Sequence, residues 1–420
     1  MRIIIFMRMQ GVDQDIANPF NSLHIGPVTL RNRFIRSAAF EGMSLNHKVT
    51  PELIAYHSAV AEGGVGMTTV AYASVSKGGL SFGHQLWLRE DIIPGLKELT
   101  TAIKQAGAAA SIQIGHAGNM ARQSVSGERP MAPSARLNLY GPSWPRHMHQ
   151  ADIDRVVLDF RNAVLIAKKA GFDAVEVHAG HGYLISQFLS PYTNHRNDIY
   201  GGSFQNRSRF LREVLVACRQ AAGKDMALLV KLNMNDGFKG GLTEEEALQT
   251  AIIVESLGAD AIVLSGGFVS KAPLYIMRGE INPRIMAYYM KGIALKILLR
   301  WFGYQLMKPL PFTEGYFLEE AGKFKKEVKI PCIVVGGLNS MATIQKALTM
   351  GFDGIAMARA LIQNPHFVND LRDQIIQKSG CTICNYCVAV MYTGQMSCYM
   401  NDPTAPEELI RTAEKIHYGS

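Results

Sequence analysis

Residues 171–210 read GFDAVEVHAGHGYLISQFLSPYTNHRNDIYGGSFQNRSRF. The apolar, β-branched run Ala174-Val175-Glu176-Val177 reads as a buried strand, and His178, His181 and Tyr183 follow directly. A strand tip that offers two imidazoles and a phenol is suited to hold and protonate a substrate oxygen. Two other readings of the residues stand beside that one. The histidines can be satisfied structural side chains, or His-x-x-His can be half of a zinc site, although no further ligand stands close in sequence. Asn194, Arg196, Asp198 and Tyr200, then Gly201-Gly202, make a long polar loop. Such a loop is costly to order unless it is functional or tied by its own hydrogen bonds.

The start of this stretch repeats elsewhere. Gly171-Phe172-Asp173, Gly258-Ala259-Asp260 and Gly351-Phe352-Asp353 each place a helix-ending glycine just before an apolar run. Eight such runs serve as strands: 34–37, 67–71, 111–114, 174–178, 227–232, 261–264, 332–335 and 354–357. Near-continuous apolar strands that alternate with amphipathic helices imply a parallel sheet, and eight units imply a closed (β/α)8 TIM barrel. Thr50-Pro51 predicts a capped helix start, Thr243 with Glu246 a capping box, and 154–170 a helix with Val157, Phe160, Val164 and Ala167 on one stripe.

The division of the 420 residues follows from these elements: an N-terminal extension over 1–17, a barrel over 18–378 and a cysteine-bearing tail over 379–420. Two insertions interrupt the barrel. Residues 119–151 are too long for an ordinary connection and predict an excursion over the barrel mouth. Residues 269–311 predict a helical lid. Their segment 285–310 mixes Met, Tyr, Trp and Leu with Lys291, Lys296, Arg300 and Lys308, and also suits an interfacial helix or an oligomer contact.

Net charge is +8, but the basic residues are dispersed, which argues against a nucleic-acid partner. No stretch reaches the ~20 apolar residues of a transmembrane helix, and the first ten residues, MRIIIFMRMQ, lack signal-peptide grammar, so a soluble cytoplasmic protein is expected. At the ends of strands seven and eight, Gly336-Gly337 and Ala358-Arg359 offer backbone donors and a cation to a phosphate.

Taken together, His178, His181-Gly182-Tyr183-Leu184, Gln187-Phe188-Leu189-Ser190-Pro191, Asn194, Arg196, Asp198, Tyr200-Gly201-Gly202-Ser203, Asn206-Arg207 and Arg209-Phe210 closely resemble the signature of the old yellow enzyme family. Those are flavin-dependent NAD(P)H oxidoreductases, and the resemblance runs from about residue 18 to 401. It implies FMN as cofactor and NADH or NADPH as reductant. It implies that Gln113 meets the flavin pyrimidine edge, that Lys231 stands beside the N1–O2 region, and that Ala38, Ala39 and Ala71 give backbone contacts. His178 and His181 would hold the carbonyl oxygen of an enone or enoyl-type substrate, and Tyr183 would protonate its α-carbon. One departure is that the segment 37–43 lacks the Thr or Cys that many relatives place near flavin O4; Ala39 and Phe40 cannot donate that bond. Ala358 stands where Gly is usual.

In the tail, Cys381, Cys384, Cys387 and Cys398 give C-x2-C-x2-C-x10-C. The first three match the spacing that wraps one iron–sulfur cluster, with Cys398 as a fourth ligand. The segment resembles the 4Fe–4S segment of 2,4-dienoyl-CoA reductase and trimethylamine dehydrogenase, which continue into a further nucleotide-binding region. With Ser420 following soon after, electrons are expected directly from NAD(P)H or from a separate carrier protein. Structural zinc and an empty tail are the competing readings. Cys218 and Cys332 read as core residues. The function implied is an ene reductase. The alternatives are an amine or demethylating dehydrogenase that relays electrons through a cluster, and a flavin-binding carrier or scaffold docked through 285–310, self-association included.

Overall fold

The computed structural model describes residues 18–138, 143–290, 292–306 and 309–418; the expected N-terminal extension 1–17, with Lys291 and Lys308, lies outside them. Eight parallel strands close a barrel. They are β3 (Phe34–Arg36), β4 (Met67–Ser74), β5 (Ala109–Gly115), β8 (Ala174–His178), β9 (Ala227–Asn233), β10 (Ala261–Ser265), β11 (Cys332–Val335) and β12 (Gly354–Met357), with β12 bonded back to β3. These are the eight runs expected, with ends shifted by up to three residues.

The hairpin β1 (Leu23–Ile25) and β2 (Val28–Leu30) plugs the end of the barrel where the strands begin. Its Leu23, Ile25 and Leu30 pack with inward residues such as Met67, Ala174, Leu229, Val263 and Ile333. The larger core lies between strands and helices, where Phe160, Phe210, Phe324 and Phe367 are fully buried.

The Gly-x-Asp repeat does more than end helices. Gly171, Gly258 and Gly351 have φ of +84°, +83° and +91°, as a left-handed cap requires. The aspartate that follows clasps the preceding strand. Asp173 Oδ2 accepts from Ala110 N at 2.9 Å, Asp260 Oδ2 from Leu228 N at 2.7 Å and Asp353 Oδ2 from Cys332 N at 2.8 Å. Each carboxylate also meets a helix cation: Lys104, Arg219 and Lys325 respectively, at 2.7–2.8 Å. Three of the eight strand starts are thus fixed by one device.

Helix ends follow their caps. Thr50 accepts from Leu53 N at 3.3 Å and opens Pro51–Glu62. The helix expected from 154 begins four residues earlier, as Gln150–Lys169, because His149 and Asp152 form a capping box. Thr243 caps Glu244–Ser256, but Glu246 does not return the bond; its carboxylate binds Arg207 instead.

Both insertions differ from simple loops. Residues 119–151 carry the short parallel pair β6 (Met131–Ala132) and β7 (Arg146–His147). Met120 and Ala121 there, with Ala117 just before, pack against Tyr183, which brings the excursion to the mouth. The second insertion forms helices Pro273–Met277, Pro283–Tyr289 and Ile293–Leu306. It is not a lid packed on the barrel alone. Its Leu274, Ile285, Met286 and Leu299 build a separate core with Cys384, Tyr386, Ala389, Val390 and Tyr399 of the tail. Cys218 and Cys332 are fully buried in the main core.

Replacing Asp260 with Ala removes the acceptor of the buried Leu228 amide and is expected to lower unfolding free energy by about 1–3 kcal/mol. Urea unfolding checks this; an unchanged midpoint would mean that the clasp is dispensable.

Candidate active site

All eight strands point their C-terminal ends to one side, where barrel enzymes assemble their chemistry. Side chains on a strand alternate, so Glu176 and His178 face the same way. Registry sets Gln113 beside Glu176 and His178 beside Lys231. Gln113 Nε2 donates to Glu176 Oε1 at 2.6 Å, and Lys231 Nζ meets the same oxygen at 2.8 Å. All three side chains are nearly fully buried. A buried lysine and glutamine here need no ligand to explain them, since Glu176 compensates the charge. Glu176 has no motif of its own in the sequence. Lys231 still has a donor to spare: among the described residues its other partner is Ser37 Oγ, at 3.5 Å.

His178, His181 and Tyr183 come together. The His178 ring lies 5.0 Å from that of His181 and 4.5 Å from that of Tyr183. Burial, then His181 and Lys231, push His178 well below the usual imidazole range. Its Nδ1 accepts from Gly180 N at 3.4 Å, so the neutral ring carries its proton on Nε2. Burial, then Lys231, brings His181 down to about 3. Its Nε2 is 2.8 Å from Ser265 Oγ.

His181 sits at φ +60°, a strained conformation for a residue with a Cβ. It is over-determined there. Asn233 Oδ1 accepts from His181 N at 2.8 Å, and His181 O accepts from Val269 N at 3.0 Å. Asn233 is itself fixed by donating to Asp236 and Gly267. Tyr183 keeps its proton far above ordinary pH, because it is buried and faces Tyr72 and Tyr392.

Tyr72, at the tip of β4, escaped the sequence reading although it directly follows Ala71. Its ring is 4.9 Å from Tyr183, its hydroxyl is 2.7 Å from Ser81 Oγ, and burial pushes it up to about 12. Phe40 stacks on Phe82 at 4.7 Å and lies 6.5 Å from Tyr72; Phe82 in turn meets Tyr392 at 5.9 Å. An aromatic wall therefore stands where the family's usual hydroxyl or thiol is missing. Tyr392 comes from the tail, and no local pattern reveals it.

The loop after β3, with Ala38 and Ala39, is held from beneath. Arg36 bonds Glu41 at 2.6 Å and Ala39 O at 2.7 Å, and His57 Nε2 is 3.2 Å from Glu41. Glu41 also accepts from Ala71 N, so any cofactor contact at Ala71 must use its carbonyl or methyl. Gly336 and Gly337 have φ of +120° and +72°, and a Cβ on Gly336 would strike Phe317 at 2.7 Å. Ala358 adopts φ −120°, ψ −73° just before Arg359. Arg359 Nη1 bonds Asn385 Oδ1 at 2.7 Å and Arg278 O at 3.2 Å, joining the strand-eight end to the tail and the second insertion.

The polar loop 190–203 is tied by its own bonds. Asn194 Nδ2 donates to Phe188 O and Tyr200 O at 2.7 Å each, and Arg196 bonds Asp198, Pro133 O and Met148 O. These signature residues build the site's frame and do not line it.

The family model of the NADH:flavin oxidoreductase / NADH oxidase family matches residues 18–280. The chain belongs to that family. It is an NAD(P)H:flavin oxidoreductase on a (β/α)8 barrel, with FMN as cofactor, and the old yellow enzyme resemblance holds. It is 39% identical over 404 residues to 4,4'-dithiodibutanoate disulfide reductase of Rhodococcus erythropolis, covering 94% of this chain and 98% of that one. It is 33% identical to NADPH dehydrogenase of Clostridium acetobutylicum over 73% of this chain and 80% of the relative. A solved 2-naphthoyl-CoA reductase complex superposes with TM-score 0.78 and 26% identity, over 96% of this chain and 58% of that one. The chain thus spans little more than half of that protein.

The residues present fit the flavin. The fully buried Lys231 amine has a donor left over, and the Gly336–Gly337 turn admits no side chain. Among the described residues no three His, Cys, Asp or Glu side chains converge as a single metal ion requires. The four tail thiols nonetheless lie within electrostatic reach of one another, with Arg359 beside Cys381 and Cys387.

Lys231→Met strands the Glu176 carboxylate in the barrel and is expected to cost about 3–5 kcal/mol of stability. Adding Glu176→Gln removes the stranded charge and should recover most of it. Urea unfolding of the flavin-free variants reads the cycle, and equal losses in the single and double variants would refute the pairing.

Proposed function

We propose that this oxidoreductase reduces the C=C bond of planar, apolar α,β-unsaturated carbonyl compounds. The observation that carries this reading is the convergence of His178, His181 and Tyr183, all neutral, at one end of the barrel. FMN, when bound, would supply the hydride equivalent drawn from NAD(P)H. The chain's own residues do the rest. His178, with its proton on Nε2, donates to the carbonyl oxygen and stabilises the negative charge that grows there. His181, its Nε2 engaged by Ser265, presents its other ring nitrogen. Tyr183 holds a proton for the α-carbon, and Tyr72 with Ser81 stands behind it to replenish that proton. Phe40, Phe82 and Tyr392 favour a flat apolar substrate and keep water out.

Gln113 and Lys231 would meet the flavin ring, with Ala38, Ala39, Ala71 and His178 around it. Gly336, Gly337, Ala358 and Arg359 take the phosphate. A second reading, disulfide reduction, is favoured by the Rhodococcus erythropolis relative, matched over nearly its whole length. There Tyr183 would protonate the departing thiolate.

The tail is read as the holder of an iron–sulfur cluster. What supports this is the C-x2-C-x2-C spacing of Cys381, Cys384 and Cys387, with Cys398 within electrostatic reach of them. Anaerobically purified protein should then contain iron and sulfide, with a visible band beyond the flavin's that bleaches on reduction. Zinc, or no metal, on the same assay would refute the cluster.

Tyr183→Phe should slow reduction of a simple enone by about 10²-fold or more while flavin reduction by NADPH stays unchanged. Stopped-flow measurement of the two half-reactions separates them. Equal loss of both would remove Tyr183 from the proton step. Turnover of 4,4'-dithiodibutanoate without turnover of any enone would replace the first reading by the second.

A further inference from the structure

The helix Ile293–Leu306 is apolar almost all round, a composition that normally marks a buried helix. Here it is attached by a narrow stripe. Leu299 and Gly303 are buried and Lys296 half-buried, with Gly303 closing against Pro283. Everything else described on the helix stands in solvent. Ile293 is 79% exposed and Trp301 76%, and Ile297, Leu298, Phe302 and Tyr304 are exposed as well. At 100° per residue, Ile293, Ile297, Trp301 and Tyr304 share one face, and Leu298 and Phe302 widen it. Lys296 and Arg300 fall at the boundary between this fan and the attached stripe.

Charge selects the occupant. Between Glu280 and Glu314 the chain carries Arg284, Lys291, Lys296, Arg300 and Lys308 and no acidic residue. In a twofold contact centred on this helix, Lys296 and Arg300 of one copy would lie close to those of the other. A surface of negative charge over a hydrocarbon layer satisfies both the cations and the apolar fan. With 14 residues the helix is about 21 Å long, short of the ~30 Å needed to span a bilayer. Among the described residues no helix is long and apolar enough to cross a membrane.

We propose that Ile293–Leu306 docks this enzyme on the surface of an anionic phospholipid membrane, lying in the plane of the interface. The start of the helix also borders a cleft lined by Tyr289, Met290, Lys296 and Thr393. Thr393 directly follows Tyr392 of the aromatic wall, so the cleft and that wall are joined by adjacent residues of the tail.

Flotation of the full-length flavin-loaded protein with phosphatidylcholine vesicles, with or without an equal part of phosphatidylglycerol, tests the proposal. Binding is expected to the phosphatidylglycerol vesicles only, and to fall in roughly 0.5 M salt. Trp301→Glu/Phe302→Glu and Lys296→Glu/Arg300→Glu should each weaken it by about tenfold or more. Flavin content and enone turnover in solution, unchanged in both, show that the variants are folded. Sedimentation velocity on the same samples distinguishes the other occupant. A dimer that Trp301→Glu/Phe302→Glu dissolves, with no vesicle binding, would overturn the proposal in favour of a second copy. Equal binding to neutral vesicles, or none to either by a monomer, would also overturn it.

Discussion

A carboxylate buried in the barrel wall governs how the site is built. Glu176 takes a proton donor from the strand on each side, Gln113 from β5 and Lys231 from β9, and so pins three neighbouring strands in one register. A slip of one residue would turn Glu176 outward and leave both partners buried without it, which no packing gain offsets. The same registry carries His178 two residues on, inward and beside Lys231. Lys231 then helps to keep both histidines neutral. One buried ion pair thus ties three strands into register and adds to the burial that keeps both histidines neutral.

Beyond the strand tip the chain relies on strain and its relief. His181 is forced to positive φ between two glycines, and the cost is met by Asn233, Ser265 and Val269. None of these is near in sequence, yet all lie on or just after β9 and β10, the next two strands around the barrel. His181 is therefore held by two side chains and one backbone amide of the neighbouring strands and their loop, and its position inherits the rigidity of the barrel.

Much of this was legible in the sequence. All eight strands were, because parallel strands buried on both faces are continuous apolar runs, and the Gly-x-Asp junctions mark three of their starts. The gathering of His178, His181 and Tyr183 was legible because one strand tip carries all three. Three kinds of feature were not. Glu176 lies inside an apolar run and has meaning only through strands 63 and 55 residues away. The start of Gln150–Lys169 depends on a histidine cap, which propensity does not favour. Tyr72 and Tyr392 reach the site through tertiary packing alone, and the pairing of the second insertion with the tail follows from a shared core that neither segment signals by itself.

That shared core changes what the tail is. Met391 O accepts from His84 Nε2 at 2.9 Å and Glu41 O from Met396 N at 2.7 Å, so the segment between Cys387 and Cys398 is bonded to the loop that carries Ala38 and Ala39. Asn385, between Cys384 and Cys387, bonds Arg359 at the end of β12 and the carbonyls of Arg278 and Glu280. The cysteine segment is thereby held against the end of β12, and Tyr392 faces Tyr183. The segment that carries the cysteines thus also supplies Tyr392 to the aromatic wall.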